Sequence, residues 1–355
     1  MKNGKRRRDV DKVKVILYGV GEVGGRIAKH LLEKDGIEIV GAIDSAKDKI
    51  CKDLSEVLGL NKRLGVQISD NPDIVLSEVK SDIVVHATGS FLKQVYPQIE
   101  TCINHGVNVV STCEELSYPY VSDPQVAQKL DTMAKKHKVT VLGTGINPGF
   151  LMDTLAITLT GLCQKIEKIK AIRLMNAAKR RIPFQKKIGA GLTVDEFREK
   201  IEKGHITGHV GLAQSIFMIA AALAWKLDRI VIDEVQPFIA TKPVSSKTIR
   251  VEKGKVAGLK QIARGIKSGK EVITLEFQAY IGAEEEYDSI DIDGVPPIHE
   301  KISPCVHGDY GTVAIIVNSI PKALNAPHGL VTMKDLPIPS ATPEDMREYV
   351  SGRMR

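Results

Sequence analysis

The chain has 355 residues, 43% hydrophobic and 26% charged, which allows a sizeable core and excludes a disordered polymer. Its formal net charge of +7 would suit anionic ligands, but part of that charge sits in the run KRRR (5–8), where a solvated tail is expected. Five scattered cysteines without a CxxC pair argue against a zinc site or a disulfide framework, so no metal is expected and a reducing cytoplasm fits best.

The first predicted elements carry the clearest chemistry. KVKVILYGV (12–20) alternates into a β-branched apolar run and predicts a buried strand. GVGEVGG (19–25) follows, then RIAKHLLEK (26–34) with Ile27, Leu31 and Leu32 on one helical face, then IEIVGAID (37–44), a second strand. A lone GxGxxG is a weak signal. Here strand, glycine turn, helix, strand and a closing acid, Asp44, about 20 residues past the last glycine, make the full dinucleotide fingerprint. Gly19 permits the tight turn, Gly21 the approach of a pyrophosphate, and Gly24 close helix–strand contact. Free N–H groups of Glu22 and Val23 at the helix start favour an anion. Asp44, with Ser45 beside it, is placed to accept hydrogen bonds from ribose hydroxyls.

The alternation continues. SDIVVHATGSF (81–91) reads as a strand running into a small-residue turn, VYPQIETCINHG (95–106) as a helix, and VNVVSTCEEL (107–116) as a strand with acids at its end. PQVAQKLDTMAKKHK (124–138) is an amphipathic helix with a basic last turn, and VTVLGTGINPGF (139–150) closes the series. Strands alternating with helices predict an open parallel sheet whose ligands collect at the strand C-terminal ends. Ala87, Thr88 and Gly89 are therefore cofactor candidates, as is Asn147. His86 is read first as a core histidine and second as a cofactor neighbour. Glu114 and Glu115 stand where a nicotinamide should lie; a partly desolvated carboxylate there could act as a base, with Glu114 slightly preferred. The competing reading makes both acids ordinary surface charges.

Beyond residue 150 the texture changes. Segments 166–178, 229–240, 271–282 and 287–295 alternate like strands of an antiparallel sheet, with helices at 193–204 and 210–227. Thr193 and Glu196 have capping-box spacing. The apolar run 210–225 is too short and too interrupted to span a membrane. The start of the chain lacks the apolar stretch of a secretory signal. A helix at 308–325 is expected to return the chain to the first domain. The predicted fold class is thus α/β: a Rossmann-type doubly wound parallel sheet over 1–150, completed by 308–355, with an inserted α+β substrate and dimerisation domain over 151–307. His209, before the apolar helix, could bind substrate or cap that helix. Arg173 and the basic residues after it, through Lys187, are candidate carboxylate anchors, against the commoner reading of a charge run as a solvated face.

Taken in order, GVGEVGG, HATGSF, STCEELSYP, GTGINPGF, GHVGLAQS and APHGLVTMKDLP resemble the 2,4-diaminopentanoate dehydrogenase family, over roughly Lys12 to Pro339. That family is related to dihydrodipicolinate reductases and native amine dehydrogenases. The His-His-x-x-Lys and Lys-x-Asp-Ala-Pro-Ser-Gly runs of true dihydrodipicolinate reductases are absent here. The resemblance implies hydride transfer to a nicotinamide and oxidative deamination of an amine carbon that bears no carboxylate, with ammonia released. Asp44 favours NAD, with NADP as a second admissible cofactor because Lys47 and Lys49 follow closely and could turn toward a 2′-phosphate. The resemblance also implies a catalytic glutamate at 114 or 115. The expected partners are an amine or ketone substrate and ammonia, without nucleic acid or membrane, in a homodimer. The alternatives are another amino-acid-pathway reductase or, in a different class, an NAD(H)-sensing regulator. The regulator would need a recognition helix, and KRRR is too short to form one.

Overall fold

The computed structural model describes residues 12–351, so the KRRR run lies outside the described residues. In chain order the elements are β1 (Val13–Tyr18), α1 (Glu22–Leu32), β2 (Ile37–Ile43), α2 (Leu54–Leu58), β3 (Ile68–Ser69), α3 (Pro72–Glu78), β4 (Ile83–His86), α4 (Leu92–Asn104), β5 (Asn108–Ser111), α5 (Pro124–His137) and β6 (Thr140–Gly143). There follow α6 (Thr154–Thr160), β7 (Lys165–Asn176), α7 (Ile182–Lys187), α8 (Val194–Glu202), α9 (Leu212–Ala222), β8 (Arg229–Ile232), β9 (Gln236–Ile239), β10 (Val244–Ser245) and β11 (Arg250–Val251). The last are β12 (Val256–Lys267), β13 (Lys270–Tyr280), β14 (Tyr287–Val295), β15 (Ile298–Ile302), α10 (Gly308–Asn325) and β16 (Gly329–Val331). They divide into two compact units, with boundaries at Ile146/Asn147 and Gly308/Asp309. The borders expected from the sequence, 150/151 and 307/308, differ from these by a few residues.

The first unit is a parallel seven-stranded sheet of order β16-β6-β5-β4-β1-β2-β3. Its direction of winding reverses at β1 and β4, the place where such sheets open a crevice beyond their C-terminal ends. The apolar run of β1 explains its central place: Val13, Val15, Ile16 and Leu17 are fully buried, as a strand covered on both faces requires. Helix α1 turns Gly24, Ile27, Ala28 and Leu31 inward. Helix α5 starts on Asp123, whose side chain accepts from the Gln125 and Val126 N–H groups, with Pro124 in its first turn. The strand read as 107–116 ends at Ser111, and a short 3₁₀ turn, Glu115–Ser117, follows it.

The second unit is built on a mixed sheet of order β15-β14-β7-β13-β12-β8, with β9 also paired to β12. The expectation of an antiparallel sheet fails at its centre, where β7 and β13 run parallel over Ile169–Asn176. The segment 229–240 is two strands, β8 and β9, each pairing with β12, which sequence patterning left unassigned. Side chains of α6 and α9, among them Ala156, Leu212, Ile216 and Ile219, cluster with Ile169, Ala171, Ile273 and Leu275 of the sheet. Helix α9 is shorter than the predicted 210–227, and Ala224 just beyond it has φ +52°. Helix α8 is capped as its sequence requires: the Thr193 hydroxyl accepts from the Glu196 N–H, and the Glu196 carboxylate accepts from the Thr193 N–H. No helix among the described residues is long and apolar enough to cross a membrane.

Candidate functional site

The glycine turn joins β1 to α1. Gly19 has φ +96°, and a Cβ there would lie 2.5 Å from the Ala87 carbonyl oxygen and 2.9 Å from Thr88 Cγ2. A Cβ at Gly24 would overlap the Gly19 carbonyl. These two positions are closed by backbone. Around Gly21 the reverse holds, since apart from its own chain neighbours no atom lies within 4 Å of where its Cβ would be. Gly21 is the N-cap of α1 and offers no side chain to the helix start, so the turn presents a roomy helix N-terminus suited to a pyrophosphate. The Glu22 carboxylate, unfavourable beside such an anion, is held along the helix by Arg26 Nη2 at 2.8 Å. Val23 is half-buried behind it, and Ser45 is exposed.

Asp44 closes the turn from the end of β2. Its Oδ2 accepts from the Val20 N–H at 2.7 Å and from Lys49 Nζ at 3.0 Å, and its Oδ1 accepts from the Ala46 N–H at 2.9 Å. Burial opposes this charge, but the Ala46, Lys49 and Val20 donors outweigh it and hold the carboxyl below its ordinary range. The turn, its clear space and the acid at the end of β2 thus fit a dinucleotide.

At the ends of β4 and β5 a buried network sets the next two loops. His86 Nδ1 lies 2.8 Å from Ser111 Oγ, and its Nε2 lies 2.7 Å from Gln98 Oε1 and 2.9 Å from Thr88 Oγ1. Burial pushes the His86 pKa down to about 4, so the ring is neutral. This histidine is a core residue. It fixes Thr88, whose hydroxyl donates to Gln98, and so fixes the turn through Gly89. Ser111 Oγ accepts from the Cys113 N–H at 3.1 Å, which anchors the loop that carries the two glutamates. There the pair separates. Glu115 Oε2 accepts from the Leu92 N–H at 2.6 Å, at the start of α4, and is committed to that helix end. Glu114, half-buried, carries the backbone carbonyl that accepts from the Ser117 hydroxyl.

The second unit has its own constellation. Asn147 Nδ2 and His209 Nε2 are 2.9 Å apart, Asn147 Nδ2 also contacts Met152 Sδ, and Asn147 Oδ1 is buried without a hydrogen-bond partner. The His209 ring stacks on Phe277 with centroids 4.4 Å apart, and its backbone N–H donates to Gln261 Oε1. Burial, followed by the charges of Arg173 and Lys187, pushes the His209 pKa to about 3. Its backbone N–H is therefore used by the sheet, while the ring turns to Asn147; it does not cap α9, whose N-cap is Gly211.

Strand register explains why these residues meet. Asp288, Arg173, Phe277 and Gln261 are direct partners across β14, β7, β13 and β12, one row on one level of the sheet. Of that row the sequence flagged Arg173 alone. Arg173 is not placed as the expected substrate carboxylate anchor, because the guanidinium is 2% exposed and already spent. Nη1 donates to Asp288 Oδ1 at 2.7 Å and Nη2 to the Val306 carbonyl at 2.5 Å. Among the described residues no group of three or more His, Cys, Asp or Glu side chains could hold a metal ion.

Comparisons with known proteins agree with this anatomy. Residues 150–352 match the family profile described as the 2,4-diaminopentanoate dehydrogenase C-terminal domain, and residues 13–139 match that of the dihydrodipicolinate reductase N-terminus. A 2,4-diaminopentanoate dehydrogenase of Acetoanaerobium sticklandii is 35% identical, over 96% of this chain and 98% of its own. The solved amine dehydrogenase from Mycobacterium smegmatis is 28% identical with a TM-score of 0.82, covering 94% of this chain and 98% of that one. A dipicolinate-bound dihydrodipicolinate reductase from Paenisporosarcina sp. TG-14, 13% identical with a TM-score of 0.53 over 91% of this chain and 98% of that one, shares the fold alone. The chain therefore belongs to the 2,4-diaminopentanoate dehydrogenase family, Rossmann-type oxidoreductases that work with NAD(P).

Proposed function

We propose that this protein oxidatively deaminates 2,4-diaminopentanoate to 2-amino-4-oxopentanoate and ammonia, and runs the reverse reductive amination of the ketone. The observation that carries this reading is the full-length relative of that name, joined to a glycine turn built for a dinucleotide. Gly19, Gly21, Glu22, Val23 and Gly24 hold the pyrophosphate side, Asp44 and Ser45 the ribose side, and Ala87, Thr88 and Gly89 the remaining cofactor contacts of the first unit. A bound nicotinamide supplies the hydride-accepting chemistry.

The base is Glu114, half-buried in the loop after β5 where the family resemblance places a catalytic glutamate, while Glu115 Oε2 accepts from the Leu92 N–H. The substrate ammonium must lose a proton before its nitrogen lone pair can expel a hydride from the carbon. Water then adds to the imine, and its proton must also be moved as ammonia departs. A carboxylate serves both transfers. In the second unit, Asn147 is held by His209, which keeps one end of its amide fixed and leaves the other for a ligand. With Arg173 paired, the substrate carboxylate falls to the exposed Lys187, whose charge reaches His209. The protein is further proposed to work in the cytoplasm as a homodimer; its five cysteines are free thiols, and light scattering tests the dimer.

The test is turnover of 2,4-diaminopentanoate with either nucleotide, following nicotinamide reduction and ammonia release together. Glu114→Gln is expected to lower turnover by ~10²–10⁴ with nucleotide binding kept, the range for a positioned acid–base group. The natural substrate should outperform 2-aminopentane by about tenfold or more, the worth of one charge-assisted contact. Nicotinamide reduction without ammonia release would reject deamination, and equal efficiencies would reject the diamino-acid assignment.

A further inference from the structure

We propose that Lys49 sets the choice between NAD and NADP, acting as a pair with Asp44 at the ribose 2′ position; this rests on the dinucleotide reading of the turn. Lys49 Nζ bridges two groups, lying 3.0 Å from Asp44 Oδ2 and 3.0 Å from the Val20 carbonyl oxygen. Both side chains are largely buried, at 21% and 10% exposed. A cavity of about 620 Å³ opens beside them, its lining including Gly21, Lys49 and Lys52 together with the acids Glu22, Asp48 and Glu56.

A lone acid at the end of the second strand accepts ribose hydroxyls and repels a 2′-phosphate. Lys49 changes both sides of that discrimination. Its charge compensates Asp44, which weakens the repulsion. An ammonium also has three donors, and only two are occupied here, so the third can reach a ligand oxygen. The surrounding acids still favour the uncharged ribose, so the wild-type protein uses both nucleotides with a preference for NAD. Asp44 is the group that rejects the phosphate, and Lys49 is the group that limits the rejection.

Direct titration of NADH and NADPH by nicotinamide fluorescence tests this without requiring turnover. Lys49→Met keeps the apolar stem and should weaken NADPH relative to NADH by about tenfold or more, the scale of one charge-assisted contact. Lys49→Arg retains the charge and should keep the wild-type ratio within a few fold. Asp44→Asn should shift the ratio toward NADPH, and that shift should vanish in the Asp44→Asn/Lys49→Met double variant, because the receiving cation is gone. An unchanged ratio in Lys49→Met with normal NADH affinity overturns the role of Lys49 alone. A wild-type protein that binds neither nucleotide overturns the dinucleotide reading and this proposal with it.

Discussion

Each unit has a histidine held neutral, His86 fully buried and His209 half-buried, and the two rings keep different company. His86 sits among neutral groups, with Ser111, Gln98 and Thr88 closing its hydrogen bonds. His209 sits near a buried ion pair, Arg173 with Asp288, and has one side-chain hydrogen-bonding neighbour, Asn147, and a stacked ring, Phe277. Burial keeps both rings neutral, but the first is held by neutral hydrogen-bond partners and the second lies beside charges that must stay paired. A neutral network fails by losing a donor or acceptor, whereas an ionic one fails by losing a counter-charge.

Breaking the counter-charge should have the largest effect. Arg173→Met leaves Asp288 buried and unpaired, at a cost of about 3–5 kcal/mol. Combining it with Asp288→Leu should recover most of the loss, since both charges are then gone. Trp225, the sole tryptophan, belongs to the second unit, so its fluorescence in urea reports this loss. If the single variant unfolds at the wild-type urea concentration, the pair is not structural.

Acid should act on both units. The folded pKa values, about 4 for His86 and about 3 for His209, lie below the ordinary 6.5, so the unfolded chain takes up the protons first. The stability gained by burying neutral rings is complete above pH 6.5 and is lost as pH falls toward those folded values. Each ring contributes a slope of about 1.4 kcal/mol per pH unit in that window. His209→Gln should flatten the slope read by Trp225, and His86→Gln should leave that slope unchanged. The same slope in both variants would assign the acid sensitivity to other groups.

Smaller losses follow from the neutral network. His86→Leu leaves Ser111 and Gln98 short of partners and should cost about 1–3 kcal/mol by calorimetry, with the Trp225 transition unmoved. Glu115→Gln should cost least, about 1 kcal/mol or under, because an amide oxygen can still accept from Leu92 and only the charge at the helix start is lost. Its turnover should stay near wild type, in contrast to Glu114→Gln. A large drop in Glu115→Gln would exchange the roles of the two acids.

The nucleotide turn was legible because Gly19, Gly24 and Asp44 act through neighbours fixed by local spacing, strand then helix then strand. Glu114 and Glu115 look alike in the sequence, and the Leu92 N–H that distinguishes them comes from another element. The row Asp288–Arg173–Phe277–Gln261 was illegible for a related reason: it exists only through the register of four strands, and one of them, β12, has glycines and charges that mask its period. Arg173 looked like a ligand anchor because charged residues are seldom fully buried, and its counter-ion lies far along the chain. The parallel pairing of β7 and β13 was hidden in the same way, since alternation marks a strand's faces and says nothing of its direction.

The last strand of the nucleotide sheet, β16, is supplied after the whole second unit. A ribosome therefore releases β1 to β6 first, with the fully buried β6 as a temporary border whose free edge has no neighbour. The second unit is continuous in sequence and can close as it emerges. The first must wait for Gly329–Val331 before its border is covered. Translation arrested anywhere between residue 147 and residue 328 leaves an open β edge, a template for pairing with other nascent chains.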